Sequence, residues 1–134
     1  MQNNYKHILI VDDDPRVLLV LKATLERLDD RYRIKSADNG REALARAENQ
    51  PFDLIITDVR MPVMDGIQLA EKIRAFRSDV ALIWITAHGC HRLEAERKKL
   101  NIYRCLEKPL KIDEIRQAAL EALEANLGSK RTGE

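Results

Sequence analysis

Apolar residues recur along this chain in two rhythms. Five short apolar or alternating runs, most of them rich in β-branched residues, lie at positions 7–11, 32–36, 53–57, 80–85 and 102–106. Their length and composition predict strands. Between them, apolar residues return at helical spacing: Val17, Leu18, Leu21, Leu25 and Leu28; then Ala43, Leu44 and Ala47; then Ile67, Ala70 and Ile73; finally Ile112, Ile115, Ala119 and Leu123. Each set predicts an amphipathic helix. The stretch 90–100, CHRLEAERKKL, offers only Leu93 and Leu100 to a core, so a helix there is expected to be weakly anchored.

Strand and helix alternate five times. That order predicts an α/β fold in which a parallel sheet carries helices on both faces. The runs LIIT and ALIWI suit strands buried on both sides, with Trp84 in the core, whereas YRIKS alternates and suits an edge. In such doubly wound sheets, ligands bind beyond the carboxyl ends of the strands. The residues that follow each strand are therefore where function is to be sought.

Composition narrows the classes. A length of 134 residues is close to the commonest size for one domain. Lys plus Arg number 23 against 22 Asp plus Glu, so no net field favours nucleic acid or an anionic membrane. Residues 1–6 are polar, and no apolar run reaches the length of a membrane span. Cys90 and Cys105 fall in no metal-ligand spacing, and a core of this size needs no staple; both are expected as free thiols in a reducing, cytoplasmic setting. His88, Cys90 and His91 in HGCH lack the fourth ligand of a structural zinc site. The stretch 126–134, NLGSKRTGE, reads as a frayed tail or the start of a linker.

The strand ends carry the chemistry. The first strand runs into Asp12, Asp13 and Asp14, the third into Asp58, the fourth into Thr86, and the fifth is followed by Lys108 and Pro109. At roughly 4 Å and an effective dielectric near 20, two like charges repel by about 4 kcal/mol, so the crowding needs compensation. Converging acids with no Cys or His among them are the ligand set of a hard divalent cation such as Mg²⁺, with Mn²⁺ as the alternative. A carboxylate beside a metal, an ammonium group and a hydroxyl can also act as a nucleophile toward phosphorus. Asp14 stands apart: followed by Pro15, it has the signature of a helix N-cap. Asp65-Gly66 reads as turn chemistry.

The motifs VDDDP at 11–15, DVRMPVMDG at 58–66, ITAHG at 85–89 and EKP at 107–109 resemble, in residues and in spacing, the receiver domain of bacterial two-component response regulators. The resemblance covers residues 1–125. It implies a flavodoxin-like sheet in the order 2-1-3-4-5 with five helices. It further implies Asp58 as phospho-acceptor, Asp12, Asp13 and Asp58 with the backbone carbonyl of Arg60 as Mg²⁺ ligands, Thr86 and Lys108 as phosphoryl-sensing residues, and Pro109 in a cis peptide bond. The phosphoryl donor would be a sensor histidine kinase or a phosphotransfer protein. The change would be read around the fourth helix, fifth strand and fifth helix, by an output domain, a partner protein or a second copy. The domain would itself bind neither nucleic acid nor membrane, and its only chemistry would be its own phosphorylation and dephosphorylation.

This chain departs from the family pattern in three places. The aromatic residue that the family usually places three positions before the lysine is replaced by Cys105, with Tyr103 two positions earlier on the same strand face. Asn101-Ile102 stands where Gly-Ala is frequent, which predicts a differently shaped end to the fourth helix. Arg60 and His88 sit two positions past the acceptor and the threonine. An enzyme reading competes: Asp12-x-Asp14 after an apolar strand superficially resembles a haloacid-dehalogenase-type phosphohydrolase, with Asp12 as nucleophile and Asp14 as acid/base. Against it, Pro15 follows directly, no downstream acid pair completes the metal site, and the chain leaves little room for a cap.

Overall fold

The computed structural model describes the backbone of residues 4–132 and the side chains of residues 4–125. Five strands, β1 (Lys6–Val11), β2 (Tyr32–Ala37), β3 (Leu54–Asp58), β4 (Ala81–Thr86) and β5 (Arg104–Glu107), form one parallel sheet in the order β2-β1-β3-β4-β5. This is the flavodoxin-like order implied by the motifs. The helices are α1 (Pro15–Glu26), α2 (Gly40–Asn49), α3 (Gly66–Phe76), α4 (Glu94–Lys99) and α5 (Ile112–Thr132), with a 3-10 turn, Cys90–Leu93, leading into α4. Observed strand ends differ from the expected ones by one or two residues. α5 continues to Thr132, into the polar stretch expected as a frayed tail or the start of a linker.

Strand period two sorts the core. Leu9, Val11, Ile55, Leu82 and Trp84 face one side and meet Ala43 and Ala47 of α2 and Leu69, Ala70 and Ile73 of α3. Ile8, Ile10, Leu54, Ile56, Ile83 and Ile85 face the other and meet Leu21 and Leu25 of α1 and Ile115, Ala118, Ala119 and Ala122 of α5. The central strands are apolar on both faces because both faces are covered. β2 lies at the edge, where Tyr32 and Ile34 are half-buried, Arg33, Lys35 and Ser36 exposed, and only Ala37 buried.

Short polar side chains start the helices. Asp14 Oδ1 accepts from the Arg16 N–H at 2.9 Å with Pro15 in the first turn of α1. Asn39 Oδ1 accepts from the Glu42 N–H at 2.8 Å to start α2. Asp65, expected only as a turn residue, closes a reciprocal capping box with Gln68 at the start of α3. Gly66 is required there, since a Cβ would fall 2.8 Å from the Val59 Cα, against the backbone that follows Asp58.

α4 is short and buries none of its own residues; Leu100, just past its end, reaches the core. Asn101 then takes φ +56°, the left-handed conformation that ends helices and that asparagine tolerates better than most residues. It does there what a glycine would do. This end is fastened by a residue the sequence did not single out. Arg74, on α3, donates to the carbonyls of Leu100 (2.9 Å), Asn101 (3.0 Å), Val80 (2.7 Å) and Ser78 (3.2 Å). One guanidinium thus joins α3, the entry to β4 and the loop before β5. Burial depresses its pKa, yet carbonyl dipoles satisfy its fork of donors. Arg74→Met is expected to strand these carbonyls and to lower stability by about 2–3 kcal/mol, read as a reduced urea midpoint with an unchanged slope.

Candidate functional site

β1 delivers Asp12 and Asp13, β3 ends in Asp58, and Lys108 follows β5, so pairing of β1 with β3 (Val11 opposite Thr57) sets the acids side by side. Oxygens of Asp12, Asp13 and Asp58 lie within 4.8 Å of one another. Asp12 and Asp58 are 0% and 5% exposed, whereas Asp13 faces solvent. Lys108 Nζ stands 2.8 Å from Asp58 Oδ2 and 3.1 Å from Asp12 Oδ2. Asp58 Oδ1 accepts from the Arg60 N–H at 2.9 Å, and Asp12 Oδ1 accepts from the Asp14 N–H at 2.8 Å. Asp12 Oδ2 has the ammonium as countercharge but no well-directed hydrogen bond.

Such a buried, under-bonded carboxylate oxygen beside two further carboxylates is a donor set for a hard cation. All its atoms are oxygen, and among the described residues this is the one cluster of three or more acidic, His or Cys side chains able to hold a metal ion. The residues fit Mg²⁺.

Electrostatics record the crowding. Burial pushes the Asp12 carboxyl up to about 6, and the neighbouring Asp58 adds to the rise, while the Asp14 N–H and Lys108 oppose it. Burial also works against the Lys108 ammonium, but its hydrogen bond to Asp58 and its ion pair with Asp12 outweigh it and hold its pKa above the ordinary lysine value. Lys108 is therefore firmly cationic.

Thr86 is buried at the end of β4, next to β5: the Lys108 N–H donates to its carbonyl at 2.8 Å, and its Oγ1 accepts from the His88 N–H at 3.1 Å. The hydroxyl is thus tied to the following turn and not to Asp58. Arg60 is exposed and contributes its N–H to Asp58. The Lys108–Pro109 bond is cis. In the loop after Asp58, Val63 has φ +74° and the Met64 N–H donates to Pro62 O at 2.9 Å, a three-residue turn that a branched side chain rarely adopts. Asp14 caps α1 and pairs with Arg16 at 3.2 Å, so the acid/base of the phosphohydrolase reading is engaged with the helix.

A family model for the response regulator receiver domain matches residues 8–120. The chain belongs to the response regulator receiver family. The transcriptional regulatory protein GlrR of Escherichia coli is 34% identical over 124 residues, covering 92% of this chain and 28% of the relative. Sensor protein EvgS of Escherichia coli is 38% identical over 106 residues, covering 79% of this chain and 9% of the relative. The crystal structure of a CheY-like receiver domain protein from Methanospirillum hungatei superposes with a TM-score of 0.86 at 28% identity, covering 94% of this chain and 99% of that one. This receiver thus spans only about a quarter of the length of GlrR. Nothing in these similarities supports the phosphohydrolase alternative.

One sequence expectation changes. Cys90 and Cys105, expected as free thiols, are joined by a disulfide: the turn after β4 folds back beside β5, where Thr86 opposes Glu107, and this proximity is invisible until the pairing of the strands is known. Cys90 is thereby taken out of any zinc set with His88 and His91. Tyr103 lies just outside β5, 37% exposed, with its N–H bonded to Leu82 O at 2.7 Å.

The raised pKa of Asp12 gives a signed expectation. Between the unfolded value of 3.8 and the folded value of about 6 the native state holds the extra proton, so the contribution of Asp12 to stability is present below pH 4 and lost as pH rises through 6. Metal-free Asp12→Asn should be more stable than the parent above pH 6 by ~1–3 kcal/mol, with the gap closing toward pH 4 in urea titrations. It should also lose most of the stabilisation that the parent gains from added Mg²⁺.

Proposed function

We propose that this receiver is a phosphorylation switch in which Asp58 accepts a phosphoryl group from the phosphohistidine of a sensor kinase or phosphotransfer protein. The observation that carries this reading is the Lys108 ammonium 2.8 Å from Asp58 Oδ2 and 3.1 Å from Asp12 Oδ2: a cation fixed beside the carboxylate that would attack. An Asp58 oxygen forms the new bond to phosphorus as the bond to the donor imidazole breaks. Lys108 faces charge on the transferred oxygens, and the Arg60 N–H orients the attacking carboxylate. Asp12, Asp13 and Asp58, with the Arg60 carbonyl, would hold Mg²⁺, which supplies positive charge to the phosphoryl oxygens.

The added charge, between one and two negative units at neutral pH, would draw Lys108 away from Asp12 and give the Thr86 hydroxyl proton an acceptor; turning toward it would loosen the bond that Thr86 Oγ1 now accepts from the His88 N–H. Release of that turn changes the surface formed by α4, β5 and α5. Residues 1–125 are then the receiver domain, and 126–134 a polar tail or the start of a linker. Its chemistry is limited to its own phosphorylation and dephosphorylation, in a cytoplasmic setting; no described helix is long and apolar enough to cross a membrane.

Incubation with acetyl phosphate and Mg²⁺, followed by intact-mass measurement, should add one phosphoryl group to the parent and none to Asp58→Asn. Asp14→Asn, an equally good cap, should be modified like the parent. An adduct that persists in Asp58→Asn would remove Asp58 from its role.

A further inference from the structure

The bond between Cys90 and Cys105 joins the two segments on which this switch depends. Cys90 opens the 3-10 turn four residues after Thr86, and Cys105 lies on β5 three residues before Lys108. Their Cα atoms are 5.8 Å apart, a span that a disulfide bridges without backbone movement. The bond closes a loop with a sequence separation of 15. That loop holds the 3-10 turn and α4, neither of which has a buried residue of its own. Beside the sulfurs, the Cys90 N–H donates to Glu107 Oε2 at 2.9 Å. The covalent link adds to this hydrogen bond and to the packing of Leu93 against the core.

The sulfurs are also within reach of solvent. Both cysteines are half-buried and line an open groove of about 440 Å³. Its charged lining comprises Arg104, Lys108 and Lys111 against Glu107 and Glu114. The groove is polar and open enough to admit a small charged disulfide beside the two cysteines.

We propose that Cys90 and Cys105 form a reversible redox modification site that gates the switch. Oxidised, the bond holds the turn after Thr86 against β5; reduced, that turn is free to move when Asp58 is phosphorylated. The oxidant is a low-molecular-weight disulfide of the glutathione class. One protein thiolate attacks it, forming a mixed disulfide and releasing one small thiol. The second protein thiolate attacks the protein-bound sulfur, closing the Cys90–Cys105 bond and releasing the second small thiol. Two electrons pass from the protein sulfurs to the small disulfide, and excess small thiol reverses both steps. The existence of the site is independent of the phosphorylation reading, whereas its gating role rests on it.

The test equilibrates the full chain in glutathione buffers of graded oxidised-to-reduced ratio, alkylates free thiols under denaturing conditions and counts them by intact mass. Hydrogen exchange over residues 87–107 is then followed in each form, with and without acetyl phosphate and Mg²⁺. The count should pass reversibly from two thiols to none. Exchange in the segment should be slower by about threefold or more in the oxidised form. Phosphorylation should accelerate it in the reduced form and in the Cys90→Ser/Cys105→Ser variant, and not in the oxidised form. Two alkylated thiols at every ratio, or stable glutathione adducts in place of the internal bond, would overturn the site. An internal bond with equal exchange in both forms would overturn the clamp. Failure of Asp58 to take up phosphate in either form would instead refute the phosphorylation reading and the gating with it, while the thiol count still decides the site.

Discussion

Lys108 holds together an arrangement that would otherwise push apart. Two buried carboxylates, Asp12 and Asp58, meet at the end of adjacent parallel strands, and one ammonium group lies within 3.1 Å of both. The apolar sheet sets the terms: because β1 and β3 are packed on both faces, the chain cannot slide to separate the acids without repacking both cores. Repulsion is thus built in by the core. Burial first, and repulsion from Asp58 second, keep the pKa of Asp12 raised in spite of Lys108, and a cation or a phosphoryl group would change that balance.

Local chemistry in the sequence was enough for much of this. Strand and helix rhythms differ by a factor of nearly two, so the order of elements could be read directly, and polar residues placed abruptly after apolar runs marked the functional edge. Asp14 was separable from Asp12 and Asp13 because a proline in the next position has a meaning of its own. What could not be read depends on the approach of distant segments. Arg74 looks like any amphipathic-helix arginine until five carbonyls converge on it. The Cys90–Cys105 bond follows from the meeting of a turn and an edge strand. Thr86 was placed correctly at its strand end, but the engagement of its hydroxyl with the His88 amide belongs to the turn geometry.

The departures from the family pattern fall on one side of the molecule. Cys105 takes the place of the usual aromatic residue, Asn101 that of a flexible glycine, and Arg74 secures the loop between them to α3. Where an aromatic ring would signal by changing rotamer, this receiver has a short side chain committed to a covalent partner. On the proposed function, a change at Asp58 would reach that surface through the bond between the Lys108 N–H and the Thr86 carbonyl.

α4 gives that surface a particular character. The other helices contribute side chains to one of the two cores, and moving any of them would expose apolar area. α4 contributes none and is flanked by single leucine anchors at Leu93 and Leu100. Its free energy of local opening is therefore set by a few hydrogen bonds and by loop entropy, well below that of global unfolding. The receiver can melt and reform this one element while the sheet that holds its acids stays intact.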